Sequence, residues 1–315
     1  MDRTTELALV ELRRDGRLSF SEIAHRLGTT RAAIAHRIGP LLDSGELRVL
    51  AAVHPRVLGL RVLAHVGARV QGRVDEVAGA MLELPAAVFV SQTIGPFNIA
   101  VELHVQSEEA LHEQLRLMRA IPGVQELTVT IYHEVLSSFF LGPEPDVTDL
   151  VLDEADRAII ALLQEDGRVP LRDLSAAAGL SITGARARLH RLLESAVMRV
   201  GAIGQHAESG TSLTVGLGAS TADASALIEL LGARPGLQFM ARTIGRFDLV
   251  ATVPVGSLDE LREVLDAARA TPGVISVDAW LHERIRQERY QFAQPLTAGA
   301  GGGSGRASRR AAARR

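Results

Sequence analysis

Arg17–Leu47 reads RLSFSEIAHRLGTTRAAIAHRIGPLLDSGEL. Ser19 and Glu22 have the spacing of a capping box, which opens a helix at Phe20. Ile23, Ala24 and Leu27 form its apolar stripe, and Gly28 ends it. Thr30 caps a second helix that carries Ile34, Ile38 and Leu41 on one face and Arg31, His36 and Arg37 elsewhere. Two short helices joined by a turn of small residues, the second with a basic outer surface, read as a helix-turn-helix. A three-helix packing unit without nucleic acid is the plain alternative for this stretch taken alone. Gly39-Pro40 disturbs the second helix, because proline removes an internal hydrogen bond; a kink or a shortened helix is expected.

Working outward, the same material recurs about 150 residues later. Asp15-Gly16-Arg17-Leu18 returns as Asp166-Gly167-Arg168-Val169, and Gln92-Thr93-Ile94-Gly95-Pro96-Phe97-Asn98 as Arg242-Thr243-Ile244-Gly245-Arg246-Phe247-Asp248. Ile121-Pro122-Gly123-Val124 returns as Thr271-Pro272-Gly273-Val274, and His133-Glu134 as His282-Glu283. An offset that stays near 150 residues means that one two-domain unit is duplicated in tandem. GPEPDVTD, residues 142–149, is the polar, proline-containing joint.

In each unit the hydrophobic period changes after the helices. Leu47–Ala52 has the content of a short strand leading out of the helical domain. Arg61–Val70, Ala87–Ile94, Phe97–Val105 and Val124–Tyr132 read as strands, with helices at Val74–Leu84 and Glu108–Arg119. The second copy repeats this with strands at Leu213–Leu217, Leu237–Ile244, Phe247–Val253 and Val274–Leu281. The order β-α-β-β-α-β is the ferredoxin-like arrangement. The fold class is therefore α+β: two winged or helix-turn-helix domains alternating with two ferredoxin-like domains. The boundaries are 1–55, 56–141, a linker at 142–150, 151–203 and 204–292, followed by a Gly/Ala/Arg tail at 293–315 expected to be disordered. A four-stranded sheet with helices on one side leaves its other face bare. Alternating apolar residues such as Leu213, Val215 and Leu217 predict that the two sheets pack face to face as a pseudo-dimer, the heads projecting from its ends.

With no cysteine, disulfides, thiolate metal sites and a cysteine nucleophile are excluded. The formal charge of -3 gives no support for nucleic acid on its own, since the placement of charge is what matters. Neither a signal peptide nor a long apolar run is present, so a soluble cytoplasmic protein is expected. His133-Glu134 and His282-Glu283 are neighbours on strands and point to opposite faces, which argues against a metal site. No nucleophile–base pair or phosphate-binding loop is evident, and no cofactor is implied.

In their order and double occurrence, the DGR turn, the paired helices, the TIG(P/R)F(N/D) turn and the PGV strand start resemble the Lrp/AsnC family of feast/famine transcriptional regulators. The resemblance implies a DNA-binding head and an effector-binding, oligomerising domain in each unit, so that one polypeptide does the work of a dimer. It implies a sequence-specific regulator, not an enzyme, that binds double-stranded DNA and answers to an amino acid or related small metabolite, with further homo-oligomerisation and no membrane partner. Candidate DNA contacts are Arg31, His36 and Arg37 in the first head and Arg186, Arg188, His190 and Arg191 in the second. Arg37 and Arg188 match the family's recurrent basic residue. The family's effector sites lie near the turn joining the second and third strands, which here places Gly95 and Asn98 in one copy and Gly245, Arg246 and Asp248 in the other. Asp248 can accept from an ammonium, and Arg246 with the amides near Gly245 can favour a carboxylate. The rival reading is a metabolite-sensing assembly or accessory protein whose heads have lost specific DNA binding.

Overall fold

A computed structural model describes residues 2–138, 145–147, 150–204, 213–234 and 236–289. Most of the 142–149 joint and the whole tail lie outside the described residues.

The first head consists of α1 (Arg3–Arg14), α2 (Phe20–Arg26) and α3 (Arg31–Asp43), followed by β1 (Leu47–Val53). Asp2 caps α1, and Ser19 with Glu22 closes a complete capping box on α2. Helix α3 does not shorten at Pro40: it runs on to Asp43 and matches its counterpart α8 at 13 residues. The second head repeats the plan with α6 (Glu154–Glu165), α7 (Leu171–Ala177), α8 (Ile182–Glu194) and β6 (Met198–Gly204). Here Pro170 stands at the N-cap of α7 and supplies no side-chain cap.

The heads do not project from opposite ends. β1 and β6 pair antiparallel over their whole length, and a single apolar core holds Leu12, Ile23, Ile34 and Ile38 together with Ile160, Leu163, Leu189 and Leu192. The repeated DGR turn is the reason. Arg17 donates to the carbonyls of Gly167 (2.6 Å) and Val169 (3.0 Å), and Arg168 donates to the carbonyl of Gly16 (2.7 Å). The Gly16 and Gly167 amides donate to Val200 and Val49 on the opposite copy's strand. A Cβ on Gly16 would come within 2.5 Å of its own copy's Val49 and 3.2 Å of the Gly201 backbone across the seam, so glycine suits this crowded crossing.

The ferredoxin-like units supply β2 (Val62–Val70), α4 (Val74–Leu82), β3 (Ala87–Ile94), β4 (Ile99–Val105), α5 (Glu108–Ala120) and β5 (Val124–Ser138) from the first copy. The second copy gives β7 (Leu213–Thr221), α9 (Ser225–Gly232), β8 (Phe239–Gly245), β9 (Leu249–Val255), α10 (Leu258–Ala270) and β10 (Val274–Glu288). All eight strands form one closed barrel in the order β10-β3-β4-β2-β5-β8-β9-β7. The two seams are β5–β8 and β10–β3, each interrupted by bulges. β5 and β10 continue past these bulges to pair with the other copy, which is why they outlast the runs expected at Val124–Tyr132 and Val274–Leu281.

Pairing of the two sheets occurs within the chain, but on other faces than the alternation predicts. Val215 and Leu217 pack on α9 and α10, as Ala64, Val66 and Ala68 pack on α4 and α5. The inner faces carry glycines, rings and polar groups instead: Phe97, Ala100, Phe247, Val250 and Trp280 form a separate small cluster inside.

Candidate functional site

On the outer surface of the heads, Arg31 and His36 stand exposed on α3, and Arg186, His190 and Arg191 on α8. The recurrent arginine does something else in both copies. The Arg37 Nε donates to the N-cap carboxylate of Asp2 (3.0 Å), and Arg188 Nη1 approaches the corresponding cap, Asp153 (2.6 Å). Arg188 and Arg191 also hold Asp156, whose side chain is 0 % exposed. These contacts fasten the second helix of each pair to the first helix of its head. Asp153 is held below the usual carboxylate range by the backbone N–H of Asp156 and by Arg188. His190 pairs with Glu194 across one helical turn.

The two TIG turns keep their own strands in place. Asn98 Oδ1 accepts the amide of Val70 (3.0 Å), and Asp248 Oδ2 accepts that of Thr221 (2.8 Å). Arg246 pairs with Asp278 at 2.7 Å. Gly95 and Gly245 adopt φ of 152° and 133°, and a Cβ on either would collide with a carbonyl of the seam strand, Ala279 or Val129. The candidate effector residues thus sit where the two copies are sewn together.

Composition and spacing did not reveal the cavity inside the barrel, at the end nearest the heads. It encloses about 90 Å³, or about 830 Å³ with its open mouth counted. His65, Glu102, His104, Tyr132, Trp280 and His282 line it, with Phe89, Phe239 and Glu288 towards the strand ends. Glu102 and His65 face each other as direct cross-strand partners on β4 and β2. Tyr132 donates its hydroxyl to Glu102 at 2.9 Å. Burial pushes the Glu102 carboxyl up to about 7, with the Tyr132 bond opposing and Glu288 reinforcing the shift. Burial likewise lowers His65 to about 4 and His282 to about 3, so both rings are neutral. The indole N–H of Trp280 can only donate, so Nε2 of His282 accepts it (3.2 Å), and the His282 proton sits on Nδ1, directed at Ser91 Oγ (3.0 Å). His65 is 5 % exposed and its Nε2 has no hydrogen-bond partner among the described residues. Among those residues no group of three or more His, Asp and Glu is arranged to hold a metal ion.

Several contacts tie this cavity to the heads. Arg199 on β6 donates to the carbonyl of Ser138 at the end of β5 (3.1 Å), and burial lowers the pKa of Arg13 on α1 while the charge of Glu288 opposes that shift.

The barrel register also corrects one repeat. Tyr132 pairs with Thr243 as His282 pairs with Thr93, so His282 occupies the place of Tyr132, not of His133. A one-residue slip turns a side chain to the other face: His133 is exposed and His282 faces the interior.

Residues 152–193 match the AsnC-type helix-turn-helix domain, and residues 1–45 match a winged helix-turn-helix DNA-binding family. The HTH-type transcriptional regulator FL11 of Pyrococcus horikoshii is 30% identical over 127 residues, which are 40% of this chain and 84% of that protein. The FL11 regulator of Pyrococcus abyssi is 32% identical over 116 residues, 36% of this chain and 77% of the relative. Over 92% of the chain, and 95% of the other, the fold is similar to that of the siroheme decarboxylase NirDL solved with an iron-uroporphyrin III analogue, at a TM-score of 0.57 and 16% identity. That likeness is one of fold. It nonetheless overturns the expectation that a chain of this kind is not an enzyme, since a similar fold serves a siroheme decarboxylase. No helix among the described residues is long and apolar enough to cross a membrane.

Proposed function

Because the chain belongs to the Lrp/AsnC family of helix-turn-helix transcriptional regulators, we propose that it binds specific double-stranded DNA as a self-contained pseudo-dimer and responds to a small metabolite. The observation that carries this reading is the joined pair of heads. The β1–β6 ribbon and the reciprocal arginines fix the spacing of α3 and α8, as two half-sites on one face of a duplex require. Arg31 and His36 occupy one exposed surface, Arg186, His190 and Arg191 the other, so the two half-sites differ in sequence. Arg37, Arg188 and Arg191, paired with carboxylates of their own heads, contribute less to base reading. Amino-acid binding at Asp248 and Arg246 stays part of the reading, tested by calorimetry with wild type and Asp248→Ala. Selection of binding sites from a random duplex pool is the main test. An asymmetric enriched sequence is expected; equal affinity for enriched and scrambled duplexes at physiological salt defeats the reading.

A second reading places acid–base chemistry in the cavity. Glu102 and Tyr132 form a proton-carrying pair, and a carboxyl that titrates at about 7 suits a general acid or base. The enclosed 90 Å³ is far less than a tetrapyrrole occupies, so siroheme reaches Glu102 only with a large opening of the barrel. Incubation with siroheme and mass analysis tests this reading: loss of carboxyl groups supports it, and unchanged siroheme removes it.

A further inference from the structure

The two copies present homologous rows of side chains across the barrel interior. Cross-strand pairing sets Phe89, Glu102, His65 and Thr130 in register in the first copy, and Phe239, Thr252, Gly216 and Trp280 in the second. The rows begin alike with phenylalanine and then diverge at every position. Trp280 takes the space that Gly216 leaves, where a Cβ would lie 2.0 Å from the indole, and its ring centroid stands 5.2 Å from that of His65. In a symmetric dimer of identical subunits each such cavity half would be the same. In these rows the second copy places Trp280 where the first has Thr130, and the first places a carboxyl and an imidazole where the second has Thr252 and Gly216, which makes one asymmetric chamber.

The chemistry of that chamber is one-sided. Among the described residues its lining holds two carboxyl groups, Glu102 and Glu288, and no arginine. Glu288 faces Arg13, whereas Glu102 has no ion pair among the described residues and is bonded only by Tyr132. A buried carboxylate without a countercharge is costly, and a cation entering beside it removes that cost. Neutral His65, whose Nε2 has no partner among the described residues, offers a lone pair to an N–H, and the rings in the lining, Trp280, Phe239, Phe89 and Tyr132, favour a cation over an anion. We propose that the chamber binds a compact organic ammonium ion, its N–H groups directed to Glu102 and His65 and its apolar part against Trp280. An amino acid is disfavoured there, because among the described residues the lining sets the carboxyl groups of Glu102 and Glu288, and no lysine or arginine, against its carboxylate. The inference deepens the reading of the chain as a metabolite-responsive regulator; binding is measured without DNA, so either can fail alone.

Trp280 is the single tryptophan of the chain and lies in the wall, so its emission reports occupancy directly. The full chain is titrated with isobutylammonium chloride, and separately with valine, isobutanol and isobutyrate. Valine differs from the amine by its carboxylate alone; isobutanol and isobutyrate test the charge. A saturable change with the amine, at least tenfold weaker with each of the others, is expected. Glu102→Gln, which keeps a partner for Tyr132, is expected to weaken the amine at least tenfold while leaving the unliganded emission maximum in place. No saturable change with the amine, equal or tighter binding of isobutanol, isobutyrate or valine, or full amine affinity in a Glu102→Gln protein with native emission overturns the proposal. The wild-type series decides the matter if that variant does not fold.

Discussion

Glu102 shows at the scale of one residue what a site costs its fold. Its carboxyl titrates at about 7 in the folded protein, well above its ordinary value. A raised value means that stability is complete below the unfolded pKa and is lost as pH rises through the folded one. Glu102→Gln escapes that loss. Its stability relative to wild type should therefore rise by about 1–3 kcal/mol between pH 4.5 and pH 8, as measured by urea unfolding at both values. The buried histidines act with opposite sign, towards acid, and cancel in the difference. Ala196 is a simpler case. It stands at φ 54° where the first copy has Gly45 at φ 77°. Ala196→Gly should stabilise the second head by about 1 kcal/mol, read as a higher thermal midpoint.

Among the elements, the recognition helices separate arginines that build a head from arginines free to leave it. Arg188→Ala removes one of the two arginines paired with buried Asp156 and should cost about 1–3 kcal/mol in denaturant unfolding. Arg186→Ala should leave unfolding unchanged within about 0.5 kcal/mol. If Arg186 meets a phosphate, it should reduce the salt slope of DNA binding by about 1; if it reads a guanine, discrimination at one position should fall by roughly 1–3 kcal/mol. Much of each head was legible, because caps such as Ser19 with Glu22 and stripes such as Ile34 and Ile38 are local signals. The seams were not. β5 and β10 leave their own alternation at a bulge and follow partners more than a hundred residues away in sequence. The chamber was equally hidden, since His65, Glu102, Tyr132 and Trp280 come from four strands and share no spacing. Its one sequence trace is the divergence between copies: His65 against Gly216, Glu102 against Thr252.

For the molecule as a whole, duplication turns an encounter between subunits into an internal event. Residues 1–141 and 142–315 expressed as separate polypeptides should still associate, because two strand seams, one shared head core and the reciprocal arginines all lie between them. Co-purification of the halves checks this. Arg17→Ala combined with Arg168→Ala should weaken that association without unfolding either half.

The closed barrel bears also on how the chain is made. At roughly 5–20 residues per second, a ribosome releases the first 150 residues about 8–30 s before the second 150. Through that interval β3 and β5, paired on one side with β4 and β2, each keep one edge open, because only β10 and β8 can close the seams. Two nascent chains on one messenger carry identical open edges side by side. The order of synthesis thus favours exchange between neighbours, and correct closure depends on the second copy arriving before a second chain does.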